Sequence, residues 1–284
     1  MGFIFDTDSI TPDSGSGGGS IATKYGATIN TIFGDVDAEG VLQYPTEEKD
    51  LIFTGVKELL TNGLAYKFYK SAITSVSFPD LEEATTSMCL DHAFANSKVK
   101  KAYFPKLITI DVFGHIFRDS DLDEISLPVV QTITGGGTGT GLYYAFSGTK
   151  IVELDFKELI TIMSNNYTCV NMCSNCSDLE TVRFRKLATI PTKSSGTSSN
   201  FNGAFAGTPK LKDIYFNEVN TSTFTGGYTN VFNNMFDTNS GKTNGCTVHF
   251  PSNMQSTISS LAGYPTFGGS SNYITIAFDL PATS

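Results

Sequence analysis

The sequence contains no tryptophan, and only 17% of its 284 residues are charged. It has no run of 18 apolar residues, so we expect no membrane-spanning helix. The first ten residues, MGFIFDTDSI, lack a basic region followed by a long apolar run, so no signal peptide is visible in this chain. The segment SGSGGGS that follows is typical of a flexible linker.

Basic residues are also fewer than acidic ones: the chain has 19 lysines and arginines and 28 aspartates and glutamates. A net charge of −9 argues against nucleic acid and anionic membrane surfaces as partners. The five cysteines are odd in number and the chain is not small, so a disulfide framework is not expected. No motif calls for a cofactor. The GGGTGTG stretch at 135–141 lacks the Lys-Ser/Thr ending of a phosphate loop, so we interpret it as a loop.

What the chain does contain is an internal repeat of apolar residues. Each copy has an aromatic residue, a short polar step, and then apolar residues at fixed offsets, as in Phe94, followed by Val99, Ala102, Phe104, Leu107 and Ile110. The offsets recur in copies whose strand phenylalanine or leucine is Phe78, Phe104, Leu127, Phe156, Phe184, Phe216 or Phe250. The upstream aromatic recurs at Phe68, Phe94, Phe117, Phe146, Phe205 and Phe236, with Cys173 in that place once.

This repeat predicts a solenoid. Alternation of apolar and polar residues forms a short strand with one buried face, and the three-residue steps that flank it require turns. One unit cannot bury its apolar side alone, so stacked copies share a parallel sheet and a continuous core. We expect Phe104, Phe156, Phe184 and Phe216 to lie in a single file.

The repeat resembles the BspA-like leucine-rich repeats of bacterial surface proteins. The resemblance rests on AF-ANSK-VKKAYFP-KLITI and IF-RDSD-LDEISLP-VVQTI, and it covers about residues 51–250. Proline follows the strand in several copies, but Lys157, Arg185 and Asn217 replace it in others. The resemblance implies an α/β solenoid with a short-stranded parallel sheet, and irregular or short-helical turns on its outer face.

The resulting organisation has four parts. Residues 1–20 form a flexible tail whose apolar tip, Phe3, Ile4 and Phe5, is a candidate anchor. Residues 21–50 form an N-terminal cap, and 51–250 form the solenoid. Residues 251–284 form a C-terminal cap, with a helix that begins near Pro251 and ends near Gly263, and a strand within 271–280.

The resemblance implies a non-enzymatic binding or structural protein at a bacterial or viral exterior. Our first hypothesis is a virion-associated structural or attachment protein of a phage or prophage. The alternative is a fragment of a bacterial cell-surface adhesin that binds a host protein or a glycan. Expected partners are therefore virion proteins, a host surface protein or a glycan, and the expected location is the virion, the cell surface or the extracellular space.

The residues that flank the middle apolar residue of each strand point outward and form the candidate recognition surface on the concave face. We expect an acidic centre of Glu124, Glu153 and Asp155 between Lys101 and Arg183, with tyrosines farther out. A solvated face of opposite charges explains the same residues without a ligand. The candidate binding residues are Lys101, Tyr103, Glu124, Ser126, Glu153, Asp155, Arg183 and Tyr215.

Three other groups of residues are candidates for chemical sites. Glu124 and Glu153 resemble a glycosidase pair, but an open sheet face offers no cleft to separate their pKa values, so we expect no enzyme. His92 and His115 occupy equivalent positions, two residues before the aromatic, which predicts stacking on the outer turns rather than a metal pair. Cysteines 169, 173 and 176 have C-x3-C-x2-C spacing, but buried small residues of one turn explain them better than a metal site.

Overall fold

The computed structural model describes residues 3–6, 49–54, 56–57, 59, 64–85, 88–111, 113–134, 141–163, 168–189, 200–220, 231–236, 245–269 and 272–283. In these residues the chain forms a parallel β-solenoid of about six coils. The solenoid that the repeat predicted is confirmed. The linker, almost all of the N-terminal cap, the loop at 135–140 and the cores of the longer inserts lie outside the described residues.

The strands are short, and every pairing between them is parallel. In chain order they are β1 (Phe3–Asp6), β2 (Lys49–Thr54), β3 (Ile73–Ser77), β4 (Glu83–Ala84), β5 (Lys101–Tyr103), β6 (Thr109–Ile110), β7 (Glu124–Ser126), β8 (Thr132–Ile133), β9 (Glu153–Phe156), β10 (Thr161–Ile162), β11 (Thr181–Phe184), β12 (Asp213–Phe216), β13 (Cys246–Pro251) and β14 (Ile274–Leu280). They form three sheets, with the orders β1-β2-β3-β5-β7, β4-β6-β8-β10 and β9-β11-β12-β13-β14.

One coil illustrates how the sequence builds all of them. Strand β5 buries Ala102 between two outward residues, and Pro105 then ends the strand because it cannot donate a ladder hydrogen bond. The chain turns into the two-residue strand β6, which buries Ile110. A series of turns over 113–120 then leads to the next long strand, β7. The two-residue strands β4, β6, β8 and β10 form a second sheet in segments where the sequence pattern predicted only turns.

Two files of aromatic rings form the core. The strand file consists of two stacked runs: Phe53, Phe78 and Phe104 on the first sheet, and Phe156, Phe184, Phe216, Phe250 and Phe278 on the sheet that begins at β9. Its centroid spacings are 4.5–6.2 Å, close to the spacing of neighbouring strands. The turn file stacks Phe68, Phe94, Phe117 and Phe146. The predicted file is therefore confirmed for Phe156, Phe184 and Phe216, whereas Phe104 stacks in the other run. Each ring adds dispersion and hydrophobic stabilisation to its neighbours.

The outer turns are bonded from coil to coil rather than within a helix. Alternate N–H groups donate to the next coil: His92 to the carbonyl of Gly114 (3.2 Å) and Phe94 to that of Ile116 (2.9 Å). The residues between them donate to the carbonyl three positions back, as Ala95 does to His92. Residues at four-residue steps, such as His92 and Asn96, have φ of 52° and 55°, in the left-handed region.

Neither the α/β part of the predicted fold class nor its leucine-rich-repeat details fit this structure. A left-handed residue every four positions prevents an α-helix, because each one places its Cβ against the following carbonyl. Within the described ranges the one α-helix is α1 (Gln255–Ser259), preceded by a 3₁₀ turn at Ser252–Met254. No helix there has the length and apolar character needed to cross a membrane.

Candidate functional site

The strand face carries the eight predicted recognition residues in two groups. Lys101 pairs in register with Glu124, and Tyr103 with Ser126, on the first sheet. Glu153 and Asp155 lie on the other sheet of this face, where Asp155 pairs with Arg183 and Arg183 with Tyr215. The in-register pairs of neighbouring coils follow directly from the repeat, so their side chains stand next to each other on the outer surface.

The two groups do not form one ladder. Strand β7 is the last strand of the first sheet and β9 is the first strand of the other, so the ladder is interrupted between Ser126 and Glu153. The short-strand sheet continues past this break, because β8 pairs with β10. The expected acidic centre is therefore divided, with Glu124 on one side of the break and Glu153 and Asp155 on the other.

Each of the three residues of the expected acidic centre has a basic partner on a neighbouring coil. Glu124 lies 3.2 Å from the Lys101 ammonium, and its hydrogen bond raises the pKa of that lysine. Glu153 contacts Arg183. Asp155 accepts two hydrogen bonds of 2.8 Å from Arg185, which stands where other copies of the repeat have proline. The acids thus form local ion pairs, and exposed pairs of this kind contribute little stability each.

The C-terminal part of the strand face holds a cationic and aromatic stack. The Arg183 guanidinium lies 5.3 Å from the centroid of the Tyr215 ring, and Tyr215 stacks on His249 at 4.4 Å. The His249 ring lies between two carboxylates: Nε2 is 3.1 Å from Asp213 and Nδ1 is 2.9 Å from Asp279. Burial, and then the Asp213 charge, raise the pKa of Tyr215, so the phenol stays neutral at physiological pH.

A shallow depression of about 620 Å³ adjoins this face near the C-terminal tail. Its polar lining includes Arg185, Asn217, Glu218 and Thr283. The tail is held in place because Thr283 donates its hydroxyl to the carbonyl of Val219 (3.1 Å). A depression lined in this way offers hydrogen-bonding groups to a small polar ligand more readily than to an apolar one.

The outer turns carry a second aromatic feature, which we call the turn stack: Tyr66, His92, His115 and Tyr144. Its members occupy the same position in four successive coils, and all have φ between 51° and 58°. The two imidazoles are 4.1 Å apart at their centroids, with planes that differ by 15°. The predicted stacking of His92 on His115 is confirmed, because coil-to-coil hydrogen bonds set the ring spacing.

Asp91 lies against the turn stack and is only 7% exposed. Its Oδ2 is 3.1 Å from Nδ1 of His92, and its Oδ1 is 3.7 Å from Nδ1 of His115. Burial is the largest influence on the pKa of Asp91 and raises it, but the neighbouring His115 and His92 imidazoles together lower it below the usual value. The sequence placed Asp91 beside His92, but only the stacking of coils brings His115 to the same carboxylate.

The cysteine cluster follows the repeat. Cys173 takes the place of the turn-file phenylalanine, and Cys176 takes the place of the buried Ser or Thr three residues later. Burial strongly raises the pKa of the Cys169 thiol. All three thiols are free and buried, which agrees with the structural interpretation made from the sequence. In the described part of the chain, the one His/Cys/Asp/Glu group close enough to hold a metal is the Asp91–His92–His115 group.

The candidate anchor residues, Phe3, Ile4 and Phe5, belong to β1. This strand pairs in parallel with β2, in the register Phe3 to Leu51 and Phe5 to Phe53. Their backbone therefore forms the end strand of the first sheet. An anchoring role for these residues stays a prediction.

Comparison with known proteins gives no relatives. No protein-family model, no curated protein and no solved structure matches this chain at a significant level.

Proposed function

We propose that this protein is a non-enzymatic, virion-associated structural or attachment protein that uses its solenoid as an interaction surface. The observation that carries the proposal is the stack of Arg183, Tyr215 and His249 on the C-terminal part of the strand face. Arginine and tyrosine are enriched among the residues that dominate binding energy at protein interfaces. Here they stand on rigid parallel strands, so little side-chain freedom is lost when a partner binds.

The resemblance to BspA-like repeats supports the same class of function, because proteins of that kind bind other molecules at a bacterial exterior. In most of the described coils, however, the last buried residue of the long strand is phenylalanine, whereas a leucine-rich repeat is named for leucine. The family assignment therefore remains part of the proposal.

The test has two steps. Particles produced from the genome that encodes this chain are purified and searched for the chain by mass spectrometry and immunogold labelling. We expect the chain in particles at a constant ratio to the capsid protein. Its absence from particles, together with its presence on the surface of the bacterial cell, contradicts the virion assignment.

The second step locates the interface. Arg183→Ala and Tyr215→Ala are expected to weaken association with particle components by at least tenfold, since interface residues of this type contribute about 2 kcal/mol or more. Met163→Ala serves as the control, because Met163 is 48% exposed but lies beside the short strand β10. Equal effects of all three changes contradict the strand-face assignment.

A second candidate function is a surface adhesin that binds a glycan, and the polar depression beside Arg185 favours it. Binding to a glycan array that is lost in Glu218→Ala, with retained folding, supports this alternative. Hydrolysis of an array glycan by the wild type, lost in Glu153→Gln, contradicts both non-enzymatic candidates.

A further inference from the structure

Three donor atoms of metal-binding type meet on the outer turns. One oxygen of Asp91 and one ring nitrogen each of His92 and His115 lie within 4.8 Å of one another. Oδ2 of Asp91 is 3.1 Å from Nδ1 of His92, and Oδ1 of the same carboxylate is 3.7 Å from Nδ1 of His115. Neighbouring donors around tetrahedral zinc with bonds of about 2.1 Å are about 3.4 Å apart, so donors this close can reach a single ion.

The structure also contains a polar atom that needs a partner at this place. Nδ1 of His92 is buried and makes no hydrogen bond, although Oδ2 of Asp91 is 3.1 Å away. A buried polar atom without a hydrogen bond costs stability. A cation bonded to this nitrogen and to the Asp91 carboxylate removes that cost.

We propose that Asp91, His92 and His115 bind one divalent transition-metal ion of the zinc type. Two imidazole nitrogens and one carboxylate oxygen form a donor set that Zn²⁺, Co²⁺, Ni²⁺ and Cu²⁺ accept, and these ions prefer imidazole more than Mg²⁺ or Ca²⁺ do. Three protein donors leave a coordination position for water. The site lies on the turn face, so this inference does not depend on the proposed use of the strand face.

Binding requires a local rearrangement that can be measured. An ion bonded to both Nδ1 atoms lies close to both ring planes, whereas the two rings are now stacked with planes 15° apart. Each imidazole must turn about its Cβ–Cγ bond until the two lone pairs converge. This movement disturbs the contacts with Tyr66, stacked 4.5 Å from His92, and Tyr144, stacked 5.4 Å from His115. Metal binding is therefore expected to change the near-ultraviolet circular dichroism of tyrosine.

The chain supplies its own matched variants. It has three histidines in all, so a two-histidine site has few alternatives. Asparagine is the suitable replacement, because Asn171 and Asn234 occupy the equivalent turn position with φ of 53° and 54°. His92→Asn and His115→Asn are therefore expected to fold. His249→Asn is the control, since His249 also lies between carboxylates but on the strand face.

The experiment uses the full chain, treated with EDTA and then titrated with ZnCl₂ by calorimetry and with CoCl₂ by visible absorption. We expect one ion per chain in the wild type and in His249→Asn. The affinity is expected to fall by more than tenfold in His92→Asn, His115→Asn and Asp91→Asn, because loss of a residue that only supports a metal ligand already costs about tenfold or more in affinity. Cooperative unfolding in EDTA confirms that each variant is folded.

Three results overturn the proposal: no saturable binding of either ion, unchanged affinity in His92→Asn or His115→Asn, or loss of binding in His249→Asn. Tyrosine dichroism that changes with zinc in His115→Asn as it does in the wild type also contradicts the site. The result for Arg183→Ala in particle binding has no bearing on these outcomes, so the two proposals fail separately.

Discussion

Replacing Ser97 by alanine is expected to destabilise the protein, whereas the same replacement at Ser71 is not. The two serines occupy equivalent places in successive coils, three residues after Phe94 and Phe68, and each is 2% exposed. The Ser97 hydroxyl donates to the carbonyl of Phe94 (2.6 Å) and accepts from the N–H of Val99 (3.3 Å). The Ser71 hydroxyl is buried without a hydrogen-bond partner.

The expected difference follows from these contacts. Ser97→Ala loses a buried hydrogen-bonded hydroxyl and leaves the N–H of Val99 without that acceptor, which costs about 1–3 kcal/mol. Ser71→Ala removes a hydroxyl whose burial is uncompensated, so the free energy of unfolding should stay the same or rise by up to about 1 kcal/mol. Both changes remove one oxygen atom from an equivalent site, so the cavity contributions largely cancel in the comparison.

Urea unfolding, followed by far-ultraviolet circular dichroism, measures the free energy for both variants in parallel. Because coils of a repeat protein can unfold separately, amide hydrogen exchange of the two neighbouring coils should accompany it. Ser120→Ala provides a further comparison, since the Ser120 hydroxyl donates to the carbonyl of Phe117 at 2.7 Å. A loss at Ser71→Ala as large as that at Ser97→Ala would refute the reasoning.

The remaining predictions concern the core, the cysteines and the response to acid. In thermal unfolding, the stability of Cys176→Ser should stay within about 1 kcal/mol of the wild type, because serine or threonine fills this place in other coils. Cys173→Ser should cost about 1–3 kcal/mol, because it places a hydroxyl where other coils have a buried aromatic ring. Equal effects of the two changes would contradict the repeat equivalence. Phe184→Ala should cost about 3–5 kcal/mol in urea unfolding, and Phe184→Leu clearly less, because Leu127 already occupies the equivalent position. The lowered pKa of Asp91 stabilises the fold above the unfolded-state value near 4, and this contribution is lost as pH falls through the lower folded pKa. Asp91→Asn, measured in EDTA, should therefore flatten the acid limb of the stability profile, and an unchanged limb would contradict this assignment.

The architecture was predictable because the coil is specified by local pattern. Apolar residues at fixed offsets bury Ala102, Phe104 and Ile110 in one coil, and the same offsets do so in the others. Once identical coils stack in register, equivalent residues must lie over one another, which is why the phenylalanine files and the stacking of His92 on His115 were predictable.

Other features depend on how the backbone satisfies its hydrogen bonds between coils. The second sheet of two-residue strands, and the non-helical turns of the described coils, arise because N–H groups find partners in the next coil, which no single repeat discloses. The break between Ser126 and Glu153 also could not be predicted from one repeat. It divides the strand face into two sheets, where equally spaced coils would have formed one continuous surface.

The order of residues by itself determined that this chain stacks into a solenoid, which side chains fill its interior, and which face outward, because these follow from periodicity. The tertiary structure alone decided which outward side chains meet beyond the equivalent residues of neighbouring coils. It paired Asp155 with Arg185 and brought His115 to Asp91, since contacts between exposed or half-buried polar groups depend on the register and rotation of one coil against the next.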